Sequence, residues 1–151
     1  MSSEATIRKA RLADVVAILK LEEHFPSDRM SAATVRRFLR VLSATVWVAV
    51  SAGEVVGSLV LLTRLNTRIA RIYSVVVSPT ARGLGLAQQL VSAAEAHARK
   101  HKSFISLEVR KDNAAARALY RKLGYSEVKT LPGFYEDGSD GLRLNKPLKK
   151  V

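Results

Sequence analysis

Val77-Ser78-Pro79-Thr80-Ala81-Arg82-Gly83-Leu84-Gly85-Leu86-Ala87-Gln88 is the stretch whose reading decides how this chain folds. It follows a β-branched run and opens into residues with helical apolar spacing, so it is a strand-to-helix turn. Glycine at 83 and 85 lets the backbone bend sharply and approach a ligand, while the first amides of the following helix point outward with the positive end of its dipole. Such a turn suits an anion. A Rossmann fingerprint would need glycine where Gln88 stands, and a P-loop would need Gly-Lys-Ser/Thr, so neither a dinucleotide nor ATP is the natural occupant. By itself a Gly-x-Gly turn is also an ordinary connector.

Working outward, the chain alternates between strand and helix patterns. Thr6 to Lys9 is a short strand candidate, and Leu12, Val15, Val16 and Leu19 fall at helical spacing. Pro26 to Met30 breaks that helix, and Ser31 caps a second one with Val35, Phe38, Leu39 and Leu42 on its apolar face and Arg36, Arg37 and Arg40 mostly outside. Thr45 to Ser51 and Glu54 to Thr63 flank Ala52-Gly53 as an antiparallel hairpin. Ala70 to Val77, apolar on both faces at its end, reads as a strand in the middle of a sheet. A helix from Leu86 to about Lys100, a strand from Phe104 to Val109, a helix capped by Asn113 and closed by Gly124, and strands near Ser126 to Thr130 and Gly141 to Lys146 complete the order. The expected fold is α/β (α+β): one domain, 1–151, with a mixed, mostly antiparallel sheet of about seven strands and four helices.

Composition narrows the function. The 151 residues with 48% hydrophobic content suit one domain with a real core. No apolar run approaches the ~18 residues of a membrane span, and Met1-Ser2-Ser3-Glu4 lacks the basic flank of a secretion signal. There is no cysteine for a disulfide or a thiolate nucleophile, which fits a cytoplasmic address. With His24, His97 and His101 as the only histidines, no metal-site spacing appears, and no metal is expected. Lys and Arg number 25 against 13 Asp and Glu, a net +12 that attracts polyanions. The basic residues are scattered, however, and aromatics are 6% with no RNA-binding motif, so nucleic acid is not the expected partner.

Arg82-Gly83-Leu84-Gly85-Leu86-Ala87 resembles the Arg/Gln-x-x-Gly-x-Gly/Ala signature with which GNAT acetyltransferases hold the diphosphate of coenzyme A. A second block, Leu107-Glu108-Val109-Arg110-Lys111-Asp112-Asn113-Ala114-Ala115-Ala116-Arg117-Ala118-Leu119-Tyr120 and then Gly124-Tyr125, follows at the distance found in that family. The resemblance covers roughly residues 5 to 148 and is nearest to the subgroup acting on protein α-amino groups. It implies a GNAT fold with splayed central strands and acetyl-coenzyme A as donor. Across Val75, Val76 and Val77, the backbone of Val75 and Val77 would meet the acetyl group and pantetheine. Amides of Gly83, Leu84, Gly85, Leu86, Ala87 and Gln88, with Arg82 beside them, would hold the diphosphate. Asn113 and Ala116 would meet the pantetheine arm.

Acetyl transfer needs a neutral amine and a proton for the departing thiolate. Tyr120 resembles the family's general acid; without that resemblance it is a packed aromatic on an amphipathic helix. Glu108 resembles the general base, with an ion pair to Arg110 or Arg117 as its alternative. Phe134-Tyr135-Glu136-Asp137-Gly138-Ser139-Asp140 resembles the Tyr-Tyr-x-x-Gly-x-Asp loop over the acceptor peptide, with Phe134 in place of the first tyrosine, so Tyr135 is the acceptor-binding candidate. Glu22, Glu23 and His24 are either acceptor-groove residues or the polar end of a helix, and Glu23 is carried forward as the groove residue. Without a cysteine to form an acyl-enzyme, the expected transfer is direct, from donor to amine in a ternary complex, and the expected state is a monomer or a homodimer.

Overall fold

The computed structural model describes residues 5–25 and 29–149. In chain order its elements are β1 (Thr6–Lys9), α1 (Val15–Glu22), α2 (Ala32–Arg40), β2 (Ala44–Ser51), β3 (Glu54–Leu62), β4 (Ile69–Val77), α3 (Leu86–Ala98), β5 (Phe104–Arg110), α4 (Ala114–Lys122), β6 (Ser126–Leu131) and β7 (Gly141–Pro147). The strands form one seven-stranded sheet in the order β1-β2-β3-β4-β5-β7-β6. Of its neighbouring pairs only β4 and β5 run parallel, joined by the crossover through α3.

Period-two alternation gives each sheet face its own core. Trp47, Leu59, Leu61, Ile105, Leu107 and Leu144 pack with Leu90 and Val91 of α3 and Tyr120 of α4. Val46, Val48 and Val60 point the other way, toward Val15 and Ile18 of α1 and Val35 and Phe38 of α2. The β2–β3 turn takes positive φ at both Ala52 (50°) and Gly53 (79°), the hand that matches strand twist. Ser31 accepts the Thr34 N–H at 3.2 Å and Asn113 accepts the Ala116 N–H at 3.0 Å, so both expected caps form. Gly124, at φ 98°, ends α4 as its left-handed closing residue.

Of the apolar face expected for the first helix, Val15 is buried and Leu19 packs against the core, but Leu12 and Val16 do not. Leu12 and Val16 are 68% and 67% exposed, while Val15, Ile18 and Leu21 are buried. Leu12–Asp14 forms a 3-10 turn ahead of α1, so Leu12 does not share the helical period. Asp14 sets this entry: its carboxylate takes the Arg11 N–H at 2.7 Å and two Arg8 guanidinium bonds at 2.8 and 3.0 Å. The Arg8 bonds, above all, hold Asp14 below the usual carboxylate range. Leu42 is likewise fully exposed, because α2 has already ended at Arg40. Part of the Pro26 to Met30 break lies outside the described residues, but α1 does stop at Glu22.

Beneath α3, Glu95 is buried yet satisfied: Tyr125 Oη donates to it at 2.7 Å and Lys146 Nζ at 3.0 Å. Burial, and then this bond to Glu95, push the Tyr125 hydroxyl above its ordinary value. Tyr125→Phe should therefore cost about 1–3 kcal/mol, the usual penalty for depriving a buried acceptor of its donor. Thermal melts should show the loss while affinity for the donor cofactor stays unchanged.

Candidate active site

The β4–β5 ladder ends early. It joins Ile69 to Phe104, Ala70 to Ile105 and Arg71 to Ser106, and beyond these the strands separate. The cause is visible on the other edge of β4, where Val60 faces Ser74 and Leu61 faces Ile72, leaving Tyr73 as an extra residue. A bulge of this kind bends its strand, here immediately after the last residue paired with β5. β4 meanwhile stays paired with β3 as far as Gly57 and Val77. Because Ser78 N–H donates to Val56 O at 2.8 Å on the β3 side, strand alternation turns the N–H and C=O of Val75 and Val77 into the gap. The gap is a cavity of about 710 Å³ whose lining includes Arg82, Ala87, Glu22 and Tyr135.

At one end lies the glycine turn. Gly83 and Gly85 have φ of 84° and 72°, and a Cβ built at either meets nothing within 4 Å. Gly85 is the N-cap of α3 and offers no side-chain cap, so the first-turn amides of that helix remain available to an anion. Arg82 and Ala87 line the cavity. Gly83, Leu84, Gly85 and Gln88 form the adjoining turn rather than the cavity wall, and the Leu86 side chain is buried in the core, so a contact from it must come from its backbone. Asn113 and Ala116, at the start of α4, face the same cavity as Val75, Val76 and Val77. Open space at two glycines, an uncapped helix and two unpaired strand edges fit a thioester cofactor with a diphosphate.

Tyr120 lines the middle of the cavity with its ring buried and set edge-on to Tyr125, centroids 5.5 Å apart. No described residue hydrogen-bonds its hydroxyl, and burial raises its pKa well above the ordinary value, so the phenol holds its proton until a strong base develops nearby. Glu108 also lines the cavity, but both its oxygens are engaged. Arg71 Nε and NH2 donate to Oε1 at 2.9 and 2.7 Å, and Arg143 Nε donates to Oε2 at 3.2 Å. The ion pair foreseen for Glu108 exists, then, but with different partners. Arg110 instead reaches Asp137 at 2.9 Å, and Arg117 reaches Glu127 at 2.8 Å. β7 lies directly beside β5 and places Arg143 opposite Glu108, a cross-strand neighbour that sequence spacing does not reveal.

Tyr135, the acceptor-binding candidate, lines the cavity under a guanidinium: Arg110 Cζ sits 4.5 Å from its ring centroid. Phe134 packs edge-on to Tyr135 at 5.0 Å and against Gly141. Glu23, the expected groove residue, is exposed and does not line the cavity, whereas Glu22 is 3% exposed and does. One helical step of about 100° separates the directions of these two neighbours. Phe25, Arg71 and Tyr73 are further lining residues that the sequence did not single out. Arg82 lies over the Phe25 ring at 5.9 Å, joining the two ends of the cleft. Tyr73 sits edge-on to Phe38 at 5.1 Å.

A mixed sheet parted at its one parallel pair, with a turn suited to an anion and a buried phenol lining the gap, is a site with room for an extended anionic cofactor. A match to the Acetyltransferase (GNAT) family spans residues 12–125. An N-alpha-acetyltransferase of Sulfurisphaera tokodaii is 32% identical, covering 96% of this chain and 94% of its own length. An N-acetyltransferase of Methanocaldococcus jannaschii is 30% identical, covering 93% and 90%. Among solved structures, Ard1 from Thermoplasma volcanium superposes with a TM-score of 0.87 at 26% identity, covering 97% of this chain and 99% of that one. This chain belongs to the GNAT acetyltransferase family, and it moves acetyl from acetyl-coenzyme A to an amine.

Two substitutions test the site. Gly85→Asp suits the left-handed backbone better than most residues and meets no neighbour, so the fold should survive. Its negative charge faces the diphosphate, and calorimetry should show acetyl-coenzyme A affinity reduced by orders of magnitude. Tyr120→Phe removes only a hydroxyl with no described partner. Turnover should fall by a general acid's ~10²–10⁴-fold contribution while melting temperature and cofactor affinity hold, provided chemistry limits the rate.

Proposed function

We propose that the acceptor is the α-amino group of a protein or peptide, acetylated by direct transfer while donor and acceptor are bound together. The carrying observation is that the cleft adjoins a second cavity of about 410 Å³, lined by Arg64, Arg71, Ser106, Arg143 and Asn145. The two cavities share Arg71, Glu108 and Phe134. A small free amine would have no use for this second space, whereas a chain extending from an α-amine would occupy it. The relatives named N-alpha-acetyltransferase, matched over nearly their whole length, support the same acceptor.

In this reading the amides of residues 83–88 and Arg82 hold the diphosphate, and Asn113 and Ala116 hold the pantetheine arm. The Val75 and Val77 backbone pairs with that arm, and the Val77 N–H steadies the developing oxyanion, a contact whose loss typically costs ~2.7–4 kcal/mol. When bound, acetyl-coenzyme A supplies the activated acetyl group. Tyr120 protonates the leaving thiolate. Glu108 holds Arg71 and Arg143 at the floor of the acceptor groove, and Tyr135 covers it. New protein N-termini and acetyl-coenzyme A meet in the cytoplasm, which is where we place the protein.

Ionisation favours this acceptor. An α-amine with pKa ~7.7–8.0 is about 10–20% neutral at pH 7, whereas a lysine of pKa ~10.4 is neutral in only about 0.04% of molecules. The net charge of +12 and the arginines of the second cavity should also favour acidic residues after the acceptor. Matched peptides, one with a free N-terminus and blocked lysine and the other reversed, should show clear preference for the first, strengthened by an acidic second residue. Preference for the lysine peptide, or for a polyamine over both, would overturn this acceptor and leave the acetyltransferase assignment intact.

A further inference from the structure

We propose that Glu22, the last residue of α1, is the carboxylate that takes the proton from the acceptor amine. The inference rests on the acetyl transfer proposed above and names a residue for its unassigned proton. Among the described residues Asp14, Glu22 and Glu95 are the buried acids. Asp14 is paired with Arg8 and Glu95 with Lys146, and Glu108 at the cavity wall is held by Arg71 and Arg143. Glu22 has no ion-pair partner among the described residues. Its Oε1 accepts the Met30 N–H at 3.0 Å, which fixes the carboxylate, and no described residue bonds Oε2. A buried carboxylate with no ion pair among the described residues is costly, and the fold tolerates it here at the wall of the cavity, with Arg29 acting on it only at longer range.

The surroundings keep it that way. Arg29 approaches from the loop after α1. The same cavity is lined by Arg71 and Tyr73 of β4, Arg82 before α3, Glu108 and Arg110 of β5, Tyr120 of α4, and Tyr135 between β6 and β7. Arg71 is committed to Glu108, Arg110 to Asp137, and Arg82 lies over Phe25. Burial, first, raises the Glu22 pKa, with the Met30 N–H and Arg29 working against it. A raised value makes the carboxylate a better proton acceptor once ionised, and places the onset of activity above the ordinary carboxylate range.

The step balances without another reactant. The amine nitrogen forms its bond to the acetyl carbonyl carbon and gives one proton to Glu22, directly or through one water. The carbon–sulfur bond breaks, its electron pair leaves on sulfur, and the thiolate takes the Tyr120 proton. Transfer through water from Glu22 to Tyr120 restores both groups, and the products are an amide and a free thiol.

Glu22→Gln keeps the size and the acceptor for the Met30 N–H but removes the base. Assayed with whichever amine the wild type turns over best, kcat/KM at pH 7 should fall about 10²-fold, the low end of a general base's contribution, because an α-amine arrives partly neutral. The deficit should shrink as pH rises past the amine's own pKa of ~8, and the wild type's lower pH limb due to the carboxylate should vanish. Acetyl-coenzyme A affinity should not change. Melting temperature at pH 7 should hold or rise, since a group with a raised folded-state pKa weakens the fold when ionised above that value. Wild-type kcat/KM with the same lower limb would overturn the proposal. So would a deficit equal at every pH and accompanied by a lower melting temperature, which would make Glu22 a clamp for the loop alone. A wrong acceptor class shows instead in the wild type's own preference, and Glu22 is then read on that preferred amine.

Discussion

Everything the site contains is arranged around the early end of the β4–β5 ladder. Backbone N–H and C=O groups in a protein interior must find partners, and a strand edge left open inside a sheet is costly unless something pairs with it. β4 remains bonded to β3 on one side through Gly57 and Val77, so its other edge at Val75 and Val77 is rigid as well as open. A cofactor with amide groups of its own would complete that edge as a strand does. The extra residue Tyr73 makes the opening, and α3, which must carry the chain from β4 to a parallel β5, puts its uncapped N-terminus at the mouth. One bend in one strand thus supplies the slot, the anion site and the hydrogen bonds together.

A strongly basic chain that must receive an amine faces an electrostatic conflict, and the structure resolves it by tying up its cations. Glu108 occupies Arg71 and Arg143, Asp137 occupies Arg110, and the Tyr135 ring lies beneath that same guanidinium. Arg82 is drawn toward Phe25. These contacts also connect elements far apart in the chain: β4 to β5 and β7, β5 to the loop between β6 and β7, and the α1 end to the start of α3.

Much of this was legible beforehand. The β-branched run before Val77, the glycines at 83 and 85, the caps at Ser31 and Asn113 and the closing Gly124 are local signals: each acts within one or two turns of backbone, so the order of elements and the anion site can be read residue by residue. Tyr120 was also legible, through the block that carries it. Tyr73 was not, because a bulge exists only relative to the partner strand. Nor were Arg71 and Arg143 as the partners of Glu108, since they come from strands brought beside it by the sheet order β4-β5-β7.

The choice between Glu22 and Glu23 shows where the boundary lies. Sequence alone determined that acidic residues end the first helix beside an aromatic, and its resemblance to the GNAT family implied an acetyl donor's diphosphate at the turn near Gly85. Only the tertiary structure decided which carboxylate enters the cleft. A 3-10 turn pinned by Asp14 and Arg8 sets the rotation of α1, and about 100° per residue along a helix separates a buried side chain from a solvated one. Composition and spacing specify local backbone, whereas the facing of a side chain is settled by what packs against it from elsewhere in the chain.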